Sequence, residues 1–597
     1  MKKIIIFLSS LLFGSSLFAQ AALDPNDRFY TDAKNWETKG IISWLPQMRP
    51  YPAQTVKSIL EQVKENGSED DAALAEYYYQ KNFGRSWNLG FTLGDKSRFA
   101  DSEKNLNMFF AEPEVYGNME FFDLVSLSYK LGLFIQNKSV EEDSVCPLFK
   151  FRLTDTHDDS ASVGPLKANL DMVSNVTVGK DNLYFTLGLN RVAFGPTLSD
   201  SVMLNGKQFH SGNFIFNYEA EKWGYVQSLN VLTRSTKNEK SSPSDFAPEK
   251  YLAFHSVRFK PAQWLAISYY DASVYTNRFD PAYLIPVPYM VTQCMYAATD
   301  NLISGLVFDF RPFNGLNVSL ATAFDDIDLN GLAEGKLDTR LKMAMMLGAN
   351  YTPDVKFIDN ISFDYTIITP YTYSHSDPHI ETFGSNVASI ADNYNKDNFT
   401  TRLHSLGTSV PPNSDRVAFA VNFRPVERLR VNFSSSFIRH ANIAESFSDE
   451  EAWAYIYSNT TVPDGYEFSN DGSIWTSPMY PDESIYTNHT PTASKNLFLK
   501  QDHKMYVLQC GIDAEYELER FKWGTLSLSL GYMFEYIYNK GVDSNIYRKH
   551  STLNGSTIGT TVDNDAKAEI AAQKQRWIDN FTNQFNNYFM IAVKYSY

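Results

Sequence analysis

Aromatic and acidic residues are concentrated in one segment of the chain, residues 442–500. It contains the seven aromatic side chains Trp453, Tyr455, Tyr457, Tyr466, Trp475, Tyr480 and Tyr486, besides phenylalanines. Its acids are Glu445, Asp449, Glu450, Glu451, Asp464, Glu467, Asp471, Asp482 and Glu483, against Lys495 and Lys500. Aromatic faces stack on the apolar side of sugar rings, and carboxylates accept hydrogen bonds from hydroxyl groups. The seven aromatic residues therefore predict a glycan-binding segment, and the alternative is a loop that packs on its own aromatic side chains.

A second group of carboxylates occurs in "FDDID", at Asp325, Asp326 and Asp328. Carboxylate oxygens are the ligands that Ca²⁺ prefers, so these three residues are a candidate calcium site. More often such a cluster is a solvated loop mouth. We expect no resident metal and no cofactor.

No catalytic motif stands out in the sequence. G-x-S-x-G, H-E-x-x-H, P-loop and C-x-x-C patterns are absent. His255 has no acid or nucleophile placed beside it by the sequence. We therefore expect a protein that is not an enzyme, with no catalytic residues.

The elements that must position these residues are strands, because from Trp87 onward the sequence alternates with period two. In "TLSLSLGYMFEYIY" large apolar residues alternate with small or polar ones. At the end of the chain Phe589, Ile591, Val593, Tyr595 and Tyr597 share one face, opposite Met590, Ala592, Lys594 and Ser596. Strands of about ten residues with one apolar face are typical of transmembrane barrels.

The connections between these strands alternate in length. Short turns occur near 117–123, 179–183, 220–224, 261–263, 312–315, 353–360, 425–428 and 519–524. Long segments near 138–164, 195–210, 236–249, 277–300, 329–339, 375–412, 442–500 and 540–586 separate them. This predicts an all-β, antiparallel transmembrane barrel of about eighteen strands, with sixteen as the alternative. The strand-like segment 146–155 has no clear place in this pattern.

A closed barrel gives the lumen and the last strand specific roles. Polar residues predicted to face the lumen are Asp309, Arg311, Asn422, Arg424 and Glu535. They could tune the selectivity of a pore, but we favour an inner salt-bridge network. The last strand is expected to pair with the strand around Trp87–Leu93. Its residues 589–597 also resemble the signal that the outer-membrane insertion machinery reads.

The N-terminus predicts export. Lys2 and Lys3 precede an apolar stretch, Ile4–Phe18, and Ala19-Gln20-Ala21 fits a cleavage site. We expect a signal peptide at 1–21, a periplasmic helical segment at 22–84 and an outer-membrane barrel with long external loops at 85–597, in a diderm bacterium. The formal net charge of −16 argues against nucleic acid as a partner. Three cysteines far apart in the sequence indicate no disulfide scaffold.

Several segments together resemble the Wzi family of capsule-assembly outer-membrane proteins. They are "WETKGIISWLPQMRPYP" near the N-terminus, "GLNRVAFGPTLSDSVMLN" at 188–205, "HSVRFKPAQWLAISYYDASVYTNRFDP" at 255–281 and "DNLISGLVFDFRPFNGLNVSLATAFDD" at 300–326. They follow the family's order over roughly 25–330, and the later half matches only as a barrel pattern. Thr197 stands where the family has glycine, and Asp271 stands at an acidic position of the family.

The resemblance implies an eighteen-stranded barrel with a periplasmic helical bundle, whose external loops bind capsular polysaccharide in the manner of a lectin. The first hypothesis is therefore a surface protein that attaches or assembles capsular or exopolysaccharide. Its partners would be outer-membrane lipid, the polysaccharide and the insertion machinery. The alternative is a general diffusion porin or solute channel, because a barrel of this size is wide enough to enclose water.

Overall fold

The structure is a computed structural model of the chain. It describes residues 24–121, 124–137, 161–180, 182–208, 210–232, 250–276, 278–296, 300–336, 339–374, 397–401, 404–460, 495–521, 524–548, 552–553, 556–557 and 562–597. The predicted signal peptide at 1–21, the segment 146–155 and most of the aromatic segment lie outside the described residues.

In this part of the chain, eighteen long antiparallel strands close one barrel. They are β1 (Asn88–Ala100), β2 (Leu106–Phe121), β3 (Val125–Asn137), β4 (Leu166–Lys180), β5 (Leu183–Asn190), β6 (Ser211–Glu219), β7 (Trp223–Leu232), β8 (Lys250–Ala262), β9 (Leu265–Thr276), β10 (Asn301–Phe313), β11 (Leu316–Ile327), β12 (Leu341–Tyr351), β13 (Ile358–Ile368), β14 (Ser414–Val426), β15 (Leu429–Ala441), β16 (Lys504–Phe521), β17 (Gly524–Lys540) and β18 (Thr582–Ser596). The fold class and the count of eighteen are confirmed, and the alternative of sixteen is wrong.

The barrel closes between its first and last strands. Leu93 of β1 lies opposite Val593 of β18. The Leu89 amide donates to the Tyr597 carbonyl oxygen at 3.2 Å, and the Tyr597 amide donates to the Leu89 carbonyl oxygen at 2.8 Å. The predicted pairing of the last strand is therefore confirmed. Closure leaves no edge strand, which satisfies the requirement that backbone polar groups in hydrocarbon be paired.

The outer wall of the barrel is apolar, with aromatic rings at one end. On β18, Phe589, Ile591 and Val593 are exposed, whereas the intervening Ala592 is buried. Exposed rings near the short turns include Trp87, Trp223, Trp264, Tyr351 and Tyr597. An apolar belt with an aromatic girdle is the surface that transmembrane barrels present to lipid. We call the end with the short turns the turn end, and the opposite end the loop end.

Three helices precede the barrel: α1 (Arg28–Lys39), α2 (Ala53–Asn66) and α3 (Glu69–Phe83). The Asp27 carboxylate accepts from the Phe29 amide at the start of α1. Gly40 ends the helix in the left-handed conformation, at φ 77°. Phe29 and Trp36 are buried in a core shared by the three helices. All three lie within the segment 22–84, and the periplasmic position of that segment stays a prediction. No helix among the described residues is long and apolar enough to cross a membrane.

Two chain segments from the loop end fold into the lumen. The short strands Ala193–Phe194 and Leu204–Asn205 join Met48–Arg49 in a three-stranded sheet. The Asn205 amide donates to the Leu406 carbonyl oxygen at 3.0 Å, which brings the second segment, 397–410, against this sheet. One buried apolar cluster contains residues of both segments and of the inner barrel wall: Phe194, Met203, Leu204, Phe399, Leu406, Phe254, Tyr270 and Ile303. The middle of the barrel is therefore packed like a protein core.

The remaining elements belong to connections between strands at the loop end, and two of the short strands, Thr400–Thr401 and His404–Ser405, lie in the inner segment 397–410. The helices are α4 (Tyr289–Tyr296), α5 (Leu329–Ala333), α6 (Asp449–Thr460) and α7 (Asn564–Asp579), with 3₁₀ turns at Pro281–Leu284 and Ile443–Ser446. Short strands are Ala161–Val163, Thr400–Thr401, His404–Ser405, Thr552–Leu553 and Ser556–Thr557. Trp453 of α6 and Trp577 of α7 belong to the same apolar cluster as the lumen segments. These two helices therefore pack over the loop end of the filled barrel.

Candidate functional site

Helix α1 is attached to the inner barrel wall by Asp32. Its carboxylate accepts from Arg424 at 3.1 Å, from Arg430 at 2.9 Å and from the Tyr78 hydroxyl at 2.5 Å. Burial alone would raise the pKa of Asp32, but the guanidinium groups of Arg430 and Arg424 outweigh burial, and the pKa lies below its usual value. Both arginines lie near the β14–β15 turn. The helices therefore occupy the turn end of the lumen.

A second charged group holds α1 on the opposite side. Lys34 Nζ lies 2.7 Å from the Glu37 carboxylate and 3.4 Å from the Asp309 carboxylate of β10. Arg311 donates to the Glu37 carbonyl oxygen at 2.8 Å, and its guanidinium lies 3.4 Å from the centre of the Trp44 ring. Although burial lowers the pKa of Lys34, Asp309 and Glu37 raise it above its usual value. Buried charges of both signs thus surround α1.

Deeper in the lumen, Arg416 of β14 connects the wall to the first of the two inner segments. Its guanidinium donates to Asp200 at 2.8 Å and to Asp364 of β13 at 2.8 Å. All three side chains are buried. The Asp200 carboxylate also accepts from the Ser409 amide, so the same residue contacts the second inner segment. Arg416 and Asp200 therefore join both inner segments to the barrel wall.

A small cavity lies between α1, the inner sheet and β8–β10. Its volume is about 50 Å³, and its charged and amide lining residues are Lys34, Glu37, Gln47, Arg49, Arg258 and Asp309. Ligand pockets for small molecules usually measure about 300–1,000 Å³. A cavity of this size holds a few water molecules.

The fold is that of an outer-membrane barrel. The chain is similar to Wzi of Escherichia coli, an outer-membrane protein involved in group 1 capsule assembly and a carbohydrate-binding β-barrel, with 11% identity, a TM-score of 0.48, and coverage of 97% of this chain and 99% of that one. It is similar to OprD of Pseudomonas aeruginosa, with 9% identity, a TM-score of 0.38, and coverage of 86% and 95%. OccK8 (OprE) of P. aeruginosa gives 10% identity, a TM-score of 0.36, and coverage of 85% and 98%.

At these identities the likeness is one of fold alone. The motifs resemble the Wzi family, and Wzi itself is among the solved structures to which the chain is similar. No protein-family model and no curated protein sequence matches the chain.

The residues predicted to face the lumen all have polar partners there. Asp309 and Arg311 contact α1 as described above, and Arg424 contacts Asp32. Asn422 donates to the Asn360 side chain at 2.6 Å. The Glu535 carboxylate accepts from Gln509 and Asn586, each at 2.7 Å, and from Tyr588 at 3.0 Å. Asp309 and Arg424 form ion pairs, and Arg311, Asn422 and Glu535 form hydrogen bonds. The inner salt-bridge network and the role in pore selectivity both stay predictions.

The structure describes only some of the predicted glycan-binding residues. Trp453 is 2% exposed and belongs to the apolar cluster under α6, so its ring is enclosed by protein. Stacking of Trp453 on a sugar is incompatible with this burial, and we assign the ring to the core. Tyr455 and Tyr457 lie on α6, within 449–460. Tyr466, Trp475, Tyr480 and Tyr486 lie outside the described residues, and their role stays a prediction.

The three carboxylates of "FDDID" each contact a different partner. Asp325 accepts from the Tyr373 amide at 2.7 Å. Asp326 lies 3.1 Å from Arg340. Asp328 caps α5 by accepting from the Gly331 amide at 3.0 Å. Among the described residues, no group of three or more His, Cys, Asp or Glu could hold a metal ion. The structure therefore does not bring the three carboxylates together as a calcium site.

Sequence reasoning missed an acid next to His255. His255 of β8 lies opposite Asp271 of β9, and their buried side chains are in contact. The signal was present in the predicted turn at 261–263, because a hairpin centred on 263, the last residue of that turn, places 255 opposite 271. The inward folding of 191–210 and 397–410 was also missed, because both segments lack a regular period and read as external loops.

Proposed function

We propose that this protein acts at the surface of an outer membrane, where its loop end holds a capsular polysaccharide or exopolysaccharide. It binds its glycan without transforming it, so the proposal is a binding protein and not an enzyme. It reaches the membrane through a cleaved signal peptide and the outer-membrane insertion machinery. In this proposal the turn end faces the periplasm.

The observation that carries the proposal is the filled lumen. Helices α1–α3 occupy its turn end, the three-stranded sheet and residues 397–410 occupy its middle, and α6 and α7 pack over its loop end. A diffusion channel needs a continuous aqueous path, and the buried apolar cluster occupies much of the interior that such a path would cross. The protein's chemistry is therefore expected on its external loops.

The composition of the 442–500 segment favours a neutral glycan. Its tyrosine and tryptophan side chains other than Trp453 offer stacking surfaces, and its nine acids against two lysines repel an acidic polymer. An acidic polysaccharide would need divalent cations as bridges between carboxylates. Binding that requires added Ca²⁺ would therefore indicate an acidic glycan.

Glycan binding by the purified full-length protein tests the proposal. We expect the surface polysaccharide of the source strain to bind, and Trp475→Ala to weaken binding at least severalfold, because it removes an apolar face on which a sugar ring stacks. The Trp475→Phe variant keeps an aromatic face and serves as the matched control. Trp453→Ala, in contrast, should lower stability because its ring is buried. Failure of every native surface glycan to bind would overturn the proposal.

A gated solute channel is the second candidate, and one observation favours it. The helices are held in the turn end by ion pairs and hydrogen bonds, which water can replace without covalent change. If this is the function, an Asp32→Asn and Lys34→Met double variant should conduct ions across a planar bilayer. The polysaccharide proposal expects no stable conducting steps from it, because the inner segments remain in place.

A further inference from the structure

The connection between β9 and β10 contains an unusual stretch for an external loop. The sequence predicts a long polar connection at 277–300, yet residues 281–299, "PAYLIPVPYMVTQCMYAAT", contain no charged residue. Arg278, Asp280 and Asp300 flank this stretch, and Arg278 donates to Asp300 at 3.0 Å. The described part, residues 279–296, is called the flap below. It consists of the 3₁₀ turn Pro281–Leu284 and helix α4.

The flap covers the outside of the barrel wall. Val226, Phe254, Tyr270 and Ala272 belong to the lumen cluster. Because side chains alternate along a strand, Gln227, His255 and Asp271 face outward. All three are nevertheless buried. Tyr283 and Tyr289 of the flap form a separate buried cluster with the outward residues Ala253 and Tyr275.

Outward polar residues of the wall hold the flap in place. The Tyr289 amide donates to Asp271 at 2.8 Å. Gln227 donates to the Tyr283 carbonyl oxygen at 2.9 Å, and Gln293 donates to the Ser273 hydroxyl at 3.1 Å. The rings of His255 and Tyr289 lie 4.2 Å apart. The polar residues on this part of the wall are thus used as a latch for the flap.

The covered patch lies at the depth of the apolar belt. Trp264 belongs to the aromatic girdle, and Asp271 follows it by seven residues along β9. With a rise of about 3.3 Å per residue and a strand tilt of about 40°, Asp271 stands roughly 18 Å above the girdle. The apolar band of such barrels is about 25 Å tall. Without a cover, the His255–Asp271 pair would face hydrocarbon at high energetic cost.

The surface that the flap turns away from the barrel is apolar. Met295 is 76% exposed, Met290 60% and Ile285 54%. Phe279, Leu284 and Val291 are exposed on the same segment. Below the flap, the wall continues with the exposed side chains of Val257 and Phe259. The outer surface of the flap is therefore continuous with the lipid-facing belt.

We propose that the flap is immersed in the loop-side leaflet, where it contacts lipid acyl chains and seals the polar latch on the outer wall. The partner is hydrocarbon, because the exposed side chains carry no charge and adjoin the belt that already faces lipid. The Arg278, Asp280 and Asp300 side chains mark the level at which the flap leaves the hydrocarbon. This inference rests on the barrel's crossing a membrane and is independent of what the loops bind.

Cys294 of α4 is exposed and offers a native labelling site. The full-length Cys146→Ser, Cys510→Ser variant carries an environment-sensitive fluorophore there, in phosphatidylcholine vesicles. We expect lipids with a nitroxide on the acyl chain to quench this label severalfold more strongly than aqueous iodide does. In the same background with Cys294→Ser, the Leu187→Cys variant is the belt control and Lys336→Cys is the aqueous control, since these side chains are exposed on β5 and beyond α5.

Iodide quenching at Cys294 equal to that at position 336 would overturn the proposal. Concentration-dependent disulfide formation between two copies through Cys294, with loss of lipid quenching, would identify a second copy as the occupant and also overturn it. Labelling through Met295→Cys, with Cys294→Ser, repeats the measurement from a neighbouring side chain. Asp271→Ala removes part of the latch, so it should increase iodide access at Cys294 while leaving position 187 unchanged.

Discussion

At the scale of single residues, Arg416 connects parts of the chain that are far apart in sequence. It lies 1% exposed between Asp200 of the first inner segment and Asp364 of the wall. A buried ion pair contributes little over a well-packed apolar substitute, but removal of one member is costly, because the remaining charge stays buried. Arg416 is therefore a residue whose loss should disturb the packing of the lumen.

We predict that Arg416→Met lowers the free energy of unfolding by about 3–5 kcal/mol, because it leaves two buried carboxylates without this cation. Urea unfolding of the full-length protein in lipid vesicles measures the change. Arg28→Met is the matched control, because Arg28 also pairs with two carboxylates, Asp513 and Glu515, and all three side chains are 37–43% exposed. Its effect should stay below about 1 kcal/mol. Equal effects of the two substitutions would contradict the assignment.

Single residues also show which features of the lumen the sequence predicts and which it does not. The inward face of Asp309, Arg311 and Arg424 follows from period two alone. The contacts of these residues with α1 do not follow from it, because a strand pattern does not predict which segment enters the lumen. Trp453 shows where composition is insufficient. Composition identifies an aromatic loop, but it does not distinguish a ring that stacks on a sugar from a ring that packs in the core.

At the scale of elements, helix α1 is held by charges of defined sign. The pKa of Asp32 is lowered in the folded protein, because Arg430 and Arg424 outweigh the effect of burial. A lowered carboxyl pKa contributes stability that is present above the unfolded value of about 3.9 and is lost as the pH falls through the folded value. Lys34 has a raised pKa, so its contribution is lost only as the pH rises through its folded value, above about 10.4.

We therefore predict that α1 stays attached to the barrel from about pH 5 to pH 9 and detaches below about pH 4. Accessibility of a fluorophore attached through Lys39→Cys on α1, in a chain without its native cysteines, measures attachment. Asp32→Asn should weaken attachment throughout this range and reduce the acid transition. Part of the transition remains, because burial raises the pKa of Glu37 on α1 less than Lys34 and Arg311 lower it. Detachment near pH 6 in the unsubstituted chain would count against the proposed role of Asp32.

The last strand is the second element with a specific expectation. Tyr597 pairs with Leu89, and its ring lies 4.2 Å from the Arg85 guanidinium and 6.3 Å from the Trp87 ring. We predict that Tyr597→Asp blocks assembly, because it places a carboxylate in the aromatic girdle and alters the predicted insertion signal. Heat-modifiable migration of outer-membrane fractions reports assembly, and Tyr597→Phe is the control. Normal migration of Tyr597→Asp would refute the prediction.

Secondary-structure elements are predicted from the sequence better than residue contacts or the packing of the whole molecule. The strand count, the short turns and the closure of β18 on β1 follow from a period and from the need to pair every backbone group in hydrocarbon. The flap was read as a polar connection, because a short apolar stretch without a period does not reveal that it folds back over the barrel wall.

At the scale of the whole molecule, the protein combines a lipid-facing barrel with a packed interior. The N-terminal helices occupy the turn end of the barrel, and the inner segments occupy its middle. Helices α6 and α7 pack over the loop end. Nothing in a strand pattern predicts this filling, because an eighteen-stranded barrel is wide enough for water. This packing supports the proposal that the protein acts through its external loops and not through its lumen.

Ion conductance of the purified full-length protein in planar lipid bilayers is the most direct test of this reading. We predict no stable conducting steps at moderate voltage, under conditions in which a known porin of similar strand number inserts and conducts. Insertion is verified independently by heat-modifiable migration of protein recovered from the same lipid. Reproducible open-channel steps from the unsubstituted chain would show that the lumen opens, and would contradict the account.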